Sequence, residues 1–305
     1  WSSVLAPLIQ GKSAVDWEDI SGRSSAQEFR TRLYRFHGSW NWKEFEMAAG
    51  RMRNAFGNTR IFLSPLDYFD DLPTPVAEPL ERLGSDTARL RWRPGGSTSI
   101  EGAYLWSRQS RDYRSFIHAQ HLLAEGLEAG LILGQVAPRT RGLGAHASFS
   151  ILEGELGMEV MYHEKEEEKF SLEFIGFLPQ IKREIVHRRF SRHLVHWERS
   201  YARDWIFSAE YYHNGLGQLS PENYDILRLL RGEDFYMGRD YMGVNLSRTL
   251  SPLWFFSVQG ISNLKDGSFG WYPEIKFLSP SSFLEAKLRL AQYAGPFDSE
   301  FSRLP

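Results

Sequence analysis

Charged side chains recur at every second position along many short stretches of this chain. In the stretch 88–93, for example, three arginines alternate with Ala88, Leu90 and Trp92. Alternation with period two is typical of a β-strand with two different environments, so these charges share one face of a sheet. Charges along a wet passage set the field that filters solutes; alternatively, they only solvate the wall through cross-strand pairs. The predicted wall residues are Arg35, Glu44, Glu46, Arg89, Arg91, Arg93, Glu101, Glu128, Glu159, Glu210, Glu285, Lys287 and Arg289.

The other chemistry-bearing residues form no recognisable catalytic or metal-binding pattern. The chain has no cysteine, which excludes disulfides, c-type haem attachment and thiolate metal sites, and no cofactor is predicted in this chain. His187, His193 and His196 have no carboxylate at a ligand spacing, so we expect no metal site there. We find no Gly-x-Ser-x-Gly, His-Glu-x-x-His or phosphate-binding glycine loop, and we expect no enzyme. A formal net charge of -2 gives no indication of nucleic-acid binding.

The segment 54–84 has no strand alternation, and it mixes charged residues with large apolar residues and four prolines. Apolar groups favour burial, and prolines lower the entropy that a segment loses when it docks. We therefore expect residues 61–71 to fold into the interior of the sheet and narrow the passage there, with their acidic groups near the arginines of 88–93. The alternative is a loop that packs over the mouth of the passage without entering it. The predicted constriction residues are Arg60, Asp67, Tyr68, Asp70 and Asp71.

Strands that could carry this charged face repeat along the chain, beginning with a hairpin over 27–53. The connections alternate between short turns and longer or charged segments, which include 54–84, 138–142, 165–168 and 214–238. Within the last of these, Ser220, Pro221 and Gly232 predict the N-cap, first turn and end of a short helix. Five tryptophans lie next to the short turns and are predicted to sit at a membrane interface: Trp40, Trp42, Trp92, Trp205 and Trp254.

Residues 181–201 are strongly charged and alternate poorly. We expect their arginines, which include Arg188, Arg189 and Arg192, to lie in a solvated outer loop; the alternative is a position near anionic lipid headgroups.

Together these patterns predict an all-β fold: one transmembrane antiparallel β-barrel of about 16–18 strands over residues 1–305, with long outer loops and one short loop helix. Tilted strands of ~10 residues cross a bilayer, and a sheet in lipid must close because every backbone group there must be paired. Trimmed turns at one end, elaborated loops at the other and two aromatic belts are typical of the bacterial outer membrane. A soluble all-β protein is the alternative, but it does not explain why the tryptophans gather at the short turns.

Three motifs carry a resemblance to a known group. Arg-Leu-Tyr-Arg occurs at 32–35, Gly-Arg-Met-Arg-Asn-Ala-Phe-Gly at 50–57, and Ser-Pro-Leu-Asp-Tyr-Phe at 64–69. This order resembles bacterial outer-membrane porin-like proteins, in which a strand ends Gly-Arg-Gln-Arg before an aromatic-glycine step and a loop with Asp-aromatic-Phe. Met52 replaces the glutamine and Phe56 the usual tryptophan. The resemblance covers residues 30–72 and implies a barrel related to general porins, alginate-export-like barrels and barrels that sheathe multihaem cytochromes.

Functions of two classes remain open at this point. The first is an outer-membrane channel that passes small hydrophilic or charged solutes. The alternative is a scaffold that sheathes a partner such as a multihaem cytochrome, whose haems would belong to the partner; the resemblance also leaves an alginate-type polysaccharide export channel. The expected partners are outer-membrane lipid, small solutes and, for the scaffold, a periplasmic or lumen-bound protein, with no nucleic acid.

Overall fold

The computed structural model describes residues 18–23, 28–32, 36–69, 84–106, 113–175, 178–201, 204–226, 228, 234–280 and 285–303. These residues are almost entirely antiparallel strand. The strands are β1 (Glu18–Arg23), β2 (Glu28–Arg32), β3 (Phe36–Trp42), β4 (Phe45–Met52), β5 (Ser85–Trp92), β6 (Thr98–Trp106), β7 (Arg114–Ala124), β8 (Leu127–Ala137), β9 (Thr140–Ile151), β10 (Gly154–Ile175), β11 (Leu178–Tyr201), β12 (Trp205–Asn214), β13 (Asp240–Ser251), β14 (Trp254–Asn263), β15 (Phe269–Leu278), β16 (Glu285–Arg289) and β17 (Gln292–Ala294). Three 3₁₀ helices cover Pro65–Phe69, Pro221–Asn223 and Phe301–Arg303.

One large sheet contains β3 to β16 in chain order, and β17 pairs with β15 beyond the end of β16. β1 and β2 form a separate hairpin. Among the described residues no pairing joins the edge strands β3 and β16, so the sheet is not closed there. β3 runs toward the end with the short turns and β16 runs away from it, which makes the two edges antiparallel. Closure in lipid therefore needs direct pairing of the edges or an even number of intervening strands.

The two faces of the sheet differ as the alternation predicts. Leu131, Leu133, Leu143 and Leu288 are each more than half exposed on the outer face. Across the ladder, Ile117, Leu133, Leu143 and Tyr162 lie in one row of paired positions. An apolar surface this continuous is rare on a soluble protein. It is the surface that a lipid-facing sheet requires.

Tight turns gather at one end of the sheet, which we call the short-turn end. There β3–β4, β7–β8 and β9–β10 reverse within two residues, with positive φ at Lys43, Gly126, Leu152 and Glu153. The opposite end, which we call the loop end, carries the described parts of the two long connections, 53–69 and 215–226. The loop predicted at 138–142 is wrong, because β8 and β9 turn tightly at 138–139, where Arg139 takes a φ of 60°.

The predicted charged tip at 165–168 and the solvated loop around 181–201 are also corrected. Both segments are strand, and β10 and β11 pair along their whole length, from Glu155 with Glu198 to Ile175 with Leu178. Pairing with β9 ends at Lys165, and pairing with β12 ends at Arg192. Beyond those positions only β10 and β11 pair with each other. Water wets both faces of such a ribbon, so no apolar alternation marks it in the sequence.

The helix predicted over 220–232 is shorter and of another type. Pro221–Asn223 forms a single 3₁₀ turn, and the Ser220 side chain makes no capping hydrogen bond. Residues 226 and 228 are helical, and Gly232 lies outside the described residues. Within the part of the chain that the structure describes, no helix is both long and apolar enough to cross a membrane.

Candidate functional site

Residues 54–69, which we call the inner loop, pack on the inner face of the sheet. The Phe69 ring lies 5.4 Å from Phe116 on β7, and the Phe62 ring lies 6.2 Å from Tyr241 on β13. In a flat sheet those strands would be ~29 Å apart. Pro65–Phe69 is a 3₁₀ helix only ~8 Å long, yet it contacts every strand from β7 to β11, which would extend over ~19 Å in a flat sheet. The sheet therefore curves around the inner loop.

Glycines on the inner face make room for this close approach. A Cβ atom on Gly144 would lie 2.7 Å from Leu66, and one on Gly243 would lie 2.7 Å from Ile61. Around them Leu66, Phe69 and Ile61 are at most 5% exposed. The apolar residues of the inner loop thus find their burial against the barrel wall, as burial of apolar area favours.

Glu210 on β12 is the principal anchor of the inner loop. Its Oε1 accepts hydrogen bonds from the backbone amides of Arg60 (2.6 Å) and Ile61 (3.1 Å), and its Oε2 accepts one from Phe62 (2.9 Å). Three successive amides around one carboxylate form an anion-binding concavity of the chain itself. Glu210 is 1% exposed. It therefore does not face a water-filled passage, although the sequence predicts it as one of the residues that line such a passage.

Two further wall carboxylates hold the same loop. Arg60 forms a two-point ion pair with Glu198, in which Nη2 lies 2.8 Å from Oε1. The Ser64 hydroxyl donates to Glu159, which is buried. The interpretation of Glu159 as a water-facing wall residue is therefore corrected in the same way as that of Glu210. Alternation assigned these carboxylates to the inner face, but it cannot show that another segment covers them.

Asp67 does not face the arginines of 88–93, contrary to the sequence-based expectation. Its Oδ1 accepts hydrogen bonds from the amides of Phe56 (2.8 Å) and Gly57 (3.2 Å), and its Oδ2 lies 3.9 Å from Arg53. Asp67 therefore joins the end of the inner loop to its beginning, at Phe56 and Gly57. Asp70 and Asp71 lie outside the described residues.

Tyr68 reaches a buried polar cluster that sequence reasoning missed. Its hydroxyl lies 3.2 Å from Tyr212 and donates to Asp234 at 3.2 Å, and the Arg192 guanidinium stacks 3.9 Å from its ring centre. Arg192 also pairs with Asp234 at 3.4 Å. Arg192 is 2% exposed, which corrects its expected place in a solvated loop. The cluster joins the inner loop, β11 and the long segment 215–239.

The arginines of 88–93 pair with wall carboxylates on the strands beside them. Arg89 lies 3.1 Å and Arg93 3.0 Å from Glu46, and Arg91 lies 2.7 Å from Glu101. Glu101 also accepts from His118 at 3.3 Å, which in turn lies 3.1 Å from His146. The wall is therefore an alternating network of both signs instead of a single basic stripe.

A polar cleft of ≈ 440 Å³ lies beside this network, toward the short-turn end. Arg91 and Arg93 line one side and Glu128 another, with Gln120 and Ser99 between them. Ala55 and Phe56 of the inner loop also line the cleft. No ion-pair partner of Glu128 occurs among the described residues, so its carboxylate faces the cleft. Both signs of charge therefore meet the water in this space.

The remaining predicted wall residues are placed as follows. Glu285 pairs with Lys276 (2.9 Å), and Lys287 and Arg289 flank Glu274 at 3.6 and 2.8 Å. Glu44 lies at the β3–β4 turn, where it accepts from the Trp92 indole at 3.2 Å, away from the inner network. Arg35 is outside the described residues.

The tryptophans lie on the outer face beside the turns of the short-turn end. Trp40 and Trp42 stack at 6.5 Å, Trp42 and Phe45 at 6.2 Å, and Phe45 and Trp92 at 6.0 Å. Trp254 stands 4.8 Å from Phe277. Trp205 contacts Arg248. Amphipathic rings at this level suit a membrane–water interface.

Among the described residues, no three His, Asp or Glu side chains are grouped so that they could hold a metal ion. His187 and His193 are exposed on the outer face of β11, and His196 is buried on its inner face.

No protein-family model matches the chain, and no curated protein matches it. Solved structures of outer-membrane porins from Pseudomonas aeruginosa are similar to it. The fold is that of an outer-membrane β-barrel. OccK5 (OpdH) has a TM-score of 0.53 and 9% identity, covering 88% of this chain and 78% of that chain. OccD3 (OpdP) has a TM-score of 0.51 and 9% identity, covering 89% and 75%. OccK10 (OpdN) has a TM-score of 0.50 and 12% identity, covering 86% and 78%.

At these identities the likeness shows the fold, and it confirms the predicted all-β antiparallel barrel class. It carries no information on which residues act on a solute.

Proposed function

We propose that this chain is a porin-like channel of the bacterial outer membrane that passes small hydrophilic or charged solutes. The observation that carries the proposal is the inner loop. It is fastened to the inner wall of an apolar-faced sheet by Glu159, Glu198 and Glu210. It leaves a polar cleft of ≈ 440 Å³ beside it instead of filling the interior. The barrel fold shared with outer-membrane porins supports the same proposal.

The geometry supports selection by charge pairs across a narrowed passage. A solute in the cleft meets the guanidinium groups of Arg91 and Arg93 on one wall and the carboxylate of Glu128 on another. Opposed charges order water and bias which ions pass. The inner loop sets the width, because its backbone is held by charge-assisted hydrogen bonds that resist displacement.

No observation favours the cytochrome sheath or the polysaccharide exporter over the channel. The inner loop takes up interior space that a sheathed protein would need. The resemblance of residues 30–72 to porin-like proteins supports the channel but does not identify a solute. The same proposal includes the expectation that residues 1–305 belong to one barrel.

Recording single channels from the purified chain in planar bilayers tests the proposal. We expect ion conductance in the wild type and a larger conductance after deletion of residues 60–69. Glu210→Gln, which weakens the anchor without shortening the chain, should increase the open-channel noise. A non-conducting chain that co-purifies with a red haem protein would support the sheath instead.

A further inference from the structure

A row of charged residues crosses three strands on the outer face, just beyond the apolar surface. Arg141 on β9 pairs in register with Glu164 on β10, and Glu164 pairs with Arg189 on β11. Two residues closer to the sheet centre, the same strands carry Leu143 and Tyr162 in one row. Two residues along a strand correspond to ~7 Å. The outer surface thus changes from apolar side chains to a charged row with two arginines over a distance comparable to the depth of one lipid headgroup.

The members of this row are available to a ligand from outside. Leu143 is 56% exposed, and Arg141 is exposed as well. Among the described residues Arg141 has no ion-pair partner. The Arg189 side chain is 67% exposed, and its Nε and Nη2 nitrogens lie 3.1 and 3.0 Å from Glu164. Its Nη1 nitrogen has no partner among the described residues and faces outward with the rest of the exposed guanidinium. Arg139, on the adjoining β8–β9 turn, is also exposed.

We propose that Arg141 and Arg189 bind a phosphate group in the headgroup of an outer-leaflet lipid. Guanidinium groups present paired donors that match phosphate oxygens. A headgroup phosphate lies at the height where the apolar surface stops, while the acyl chains of the same lipid cover Leu143 and Tyr162. The Glu164 carboxylate lies between the two arginines in the row and holds Arg189 in place without neutralising Arg141.

A lipid fits this site better than a free anion does. The row places two exposed arginines on either side of one carboxylate, with the exposed Glu166 two residues farther along β10. Such a surface arrangement binds a free anion in water only weakly. The adjoining apolar surface adds the contribution of buried acyl chain, which a free phosphate lacks. The inference rests on the proposed membrane location, but it does not need the chain to conduct.

The test uses the full chain in detergent micelles, titrated with diphosphorylated lipid A and followed by native mass spectrometry. The wild type should bind it at least tenfold more tightly than the double variant Arg141→Gln/Arg189→Gln. Arg248→Gln is the matched control, because Arg248 lies on the outer face at the short-turn end against Trp205, and it should bind as the wild type does. Dephosphorylated lipid A should bind wild type and double variant equally.

Equal binding of diphosphorylated lipid A by the double variant would overturn the proposal, and so would an equal loss in Arg248→Gln. Inorganic phosphate that binds as tightly as the lipid would show an anion site without lipid recognition, which also overturns it. Conductance of the same variants, recorded separately, distinguishes a failure of this site from a failure of the channel proposal.

Discussion

Replacing Glu210 by glutamine should release the inner loop from the wall while leaving the shape of the side chain unchanged. The carboxylate is buried and accepts three backbone hydrogen bonds, two through Oε1 and one through Oε2. Glutamine keeps one carbonyl oxygen, which can still serve the amides of Arg60 and Ile61. Its NH₂ group then faces the amide of Phe62, so a donor meets a donor.

The magnitude follows from that lost bond. A hydrogen bond to a charged group contributes ~1.5–3 kcal/mol. Loss of one such bond should therefore raise the equilibrium for loop release by roughly 10- to 150-fold, since each ~1.4 kcal/mol is a factor of ten. The two remaining hydrogen bonds also become weaker, because the acceptor is no longer charged. The roughly 10- to 150-fold change in the loop-release equilibrium is therefore a lower bound.

Amide hydrogen exchange at residues 60–62 measures the release directly, in protein reconstituted in lipid nanodiscs. Exchange should accelerate by the same roughly 10- to 150-fold in Glu210→Gln. Glu128→Gln is the control. Glu128 lies on the same inner wall and lines the cleft, but it makes no hydrogen bond to residues 54–69 of the inner loop. Unchanged exchange in a folded Glu210→Gln protein would refute the anchoring role.

Three further predictions concern the outer face, the buried cluster and the C-terminal segment. Leu131→Arg should destabilise insertion by ~2–4 kcal/mol if the site is near the midplane, measured by urea titration in lipid vesicles; full tolerance would contradict the face assignment. Asp234→Asn should cost ~3–5 kcal/mol, because it leaves the buried Arg192 guanidinium without its counter-charge; an unchanged unfolding midpoint would remove this pair from the account. Glu300 holds the C-terminal segment 299–303 against the fold, because it is buried and accepts hydrogen bonds from the Met237 amide and the Asn263 side chain, both at 2.8 Å. Burial raises the pKa of Glu300, so its stabilisation of this segment is present below the ordinary glutamate pKa and is lost as pH rises through the raised value. Protease cleavage after the buried Phe301 should therefore accelerate with rising pH, and Glu300→Gln should flatten that profile; a flat wild-type profile would speak against it.

Period-two alternation predicted the sheet because lipid imposes one constraint on every strand. An outer side chain must be apolar wherever it meets acyl chains, so residues such as Leu131 and Leu143 mark the strands without any knowledge of their neighbours. Positions between them, such as Glu128, are left for the interior. This rule stops at the membrane surface. Beyond Lys165 the β10–β11 ribbon has water on both sides, so charged residues occur on both of its faces. The sequence pattern therefore predicted a loop where the structure has strands.

The candidate site was harder to predict for a different reason. Alternation shows that Glu159 and Glu210 point inward, but not whether they meet water or another segment. The apolar content of 61–69 did predict that this segment needs shelter. Its partners are distant in sequence, however, and Tyr68 meets Arg192 and Asp234 only because the sheet curves. The sequence held no local signal for this cluster, because Arg192 lies in the poorly alternating stretch 181–201 and Asp234 lies in the long segment 214–238.

In the proposed channel the inner face, and not the outer face, borders the conducting aqueous passage. Since the chain has no cysteine, one introduced thiol can be tested alone. The direct measurement is single-channel recording of Glu128→Cys and Leu131→Cys before and after adding a charged methanethiosulfonate reagent. We expect a stepwise change of conductance in Glu128→Cys and none in Leu131→Cys. A change in Leu131→Cys alone, or no effect on an open Glu128→Cys channel, would contradict this expectation.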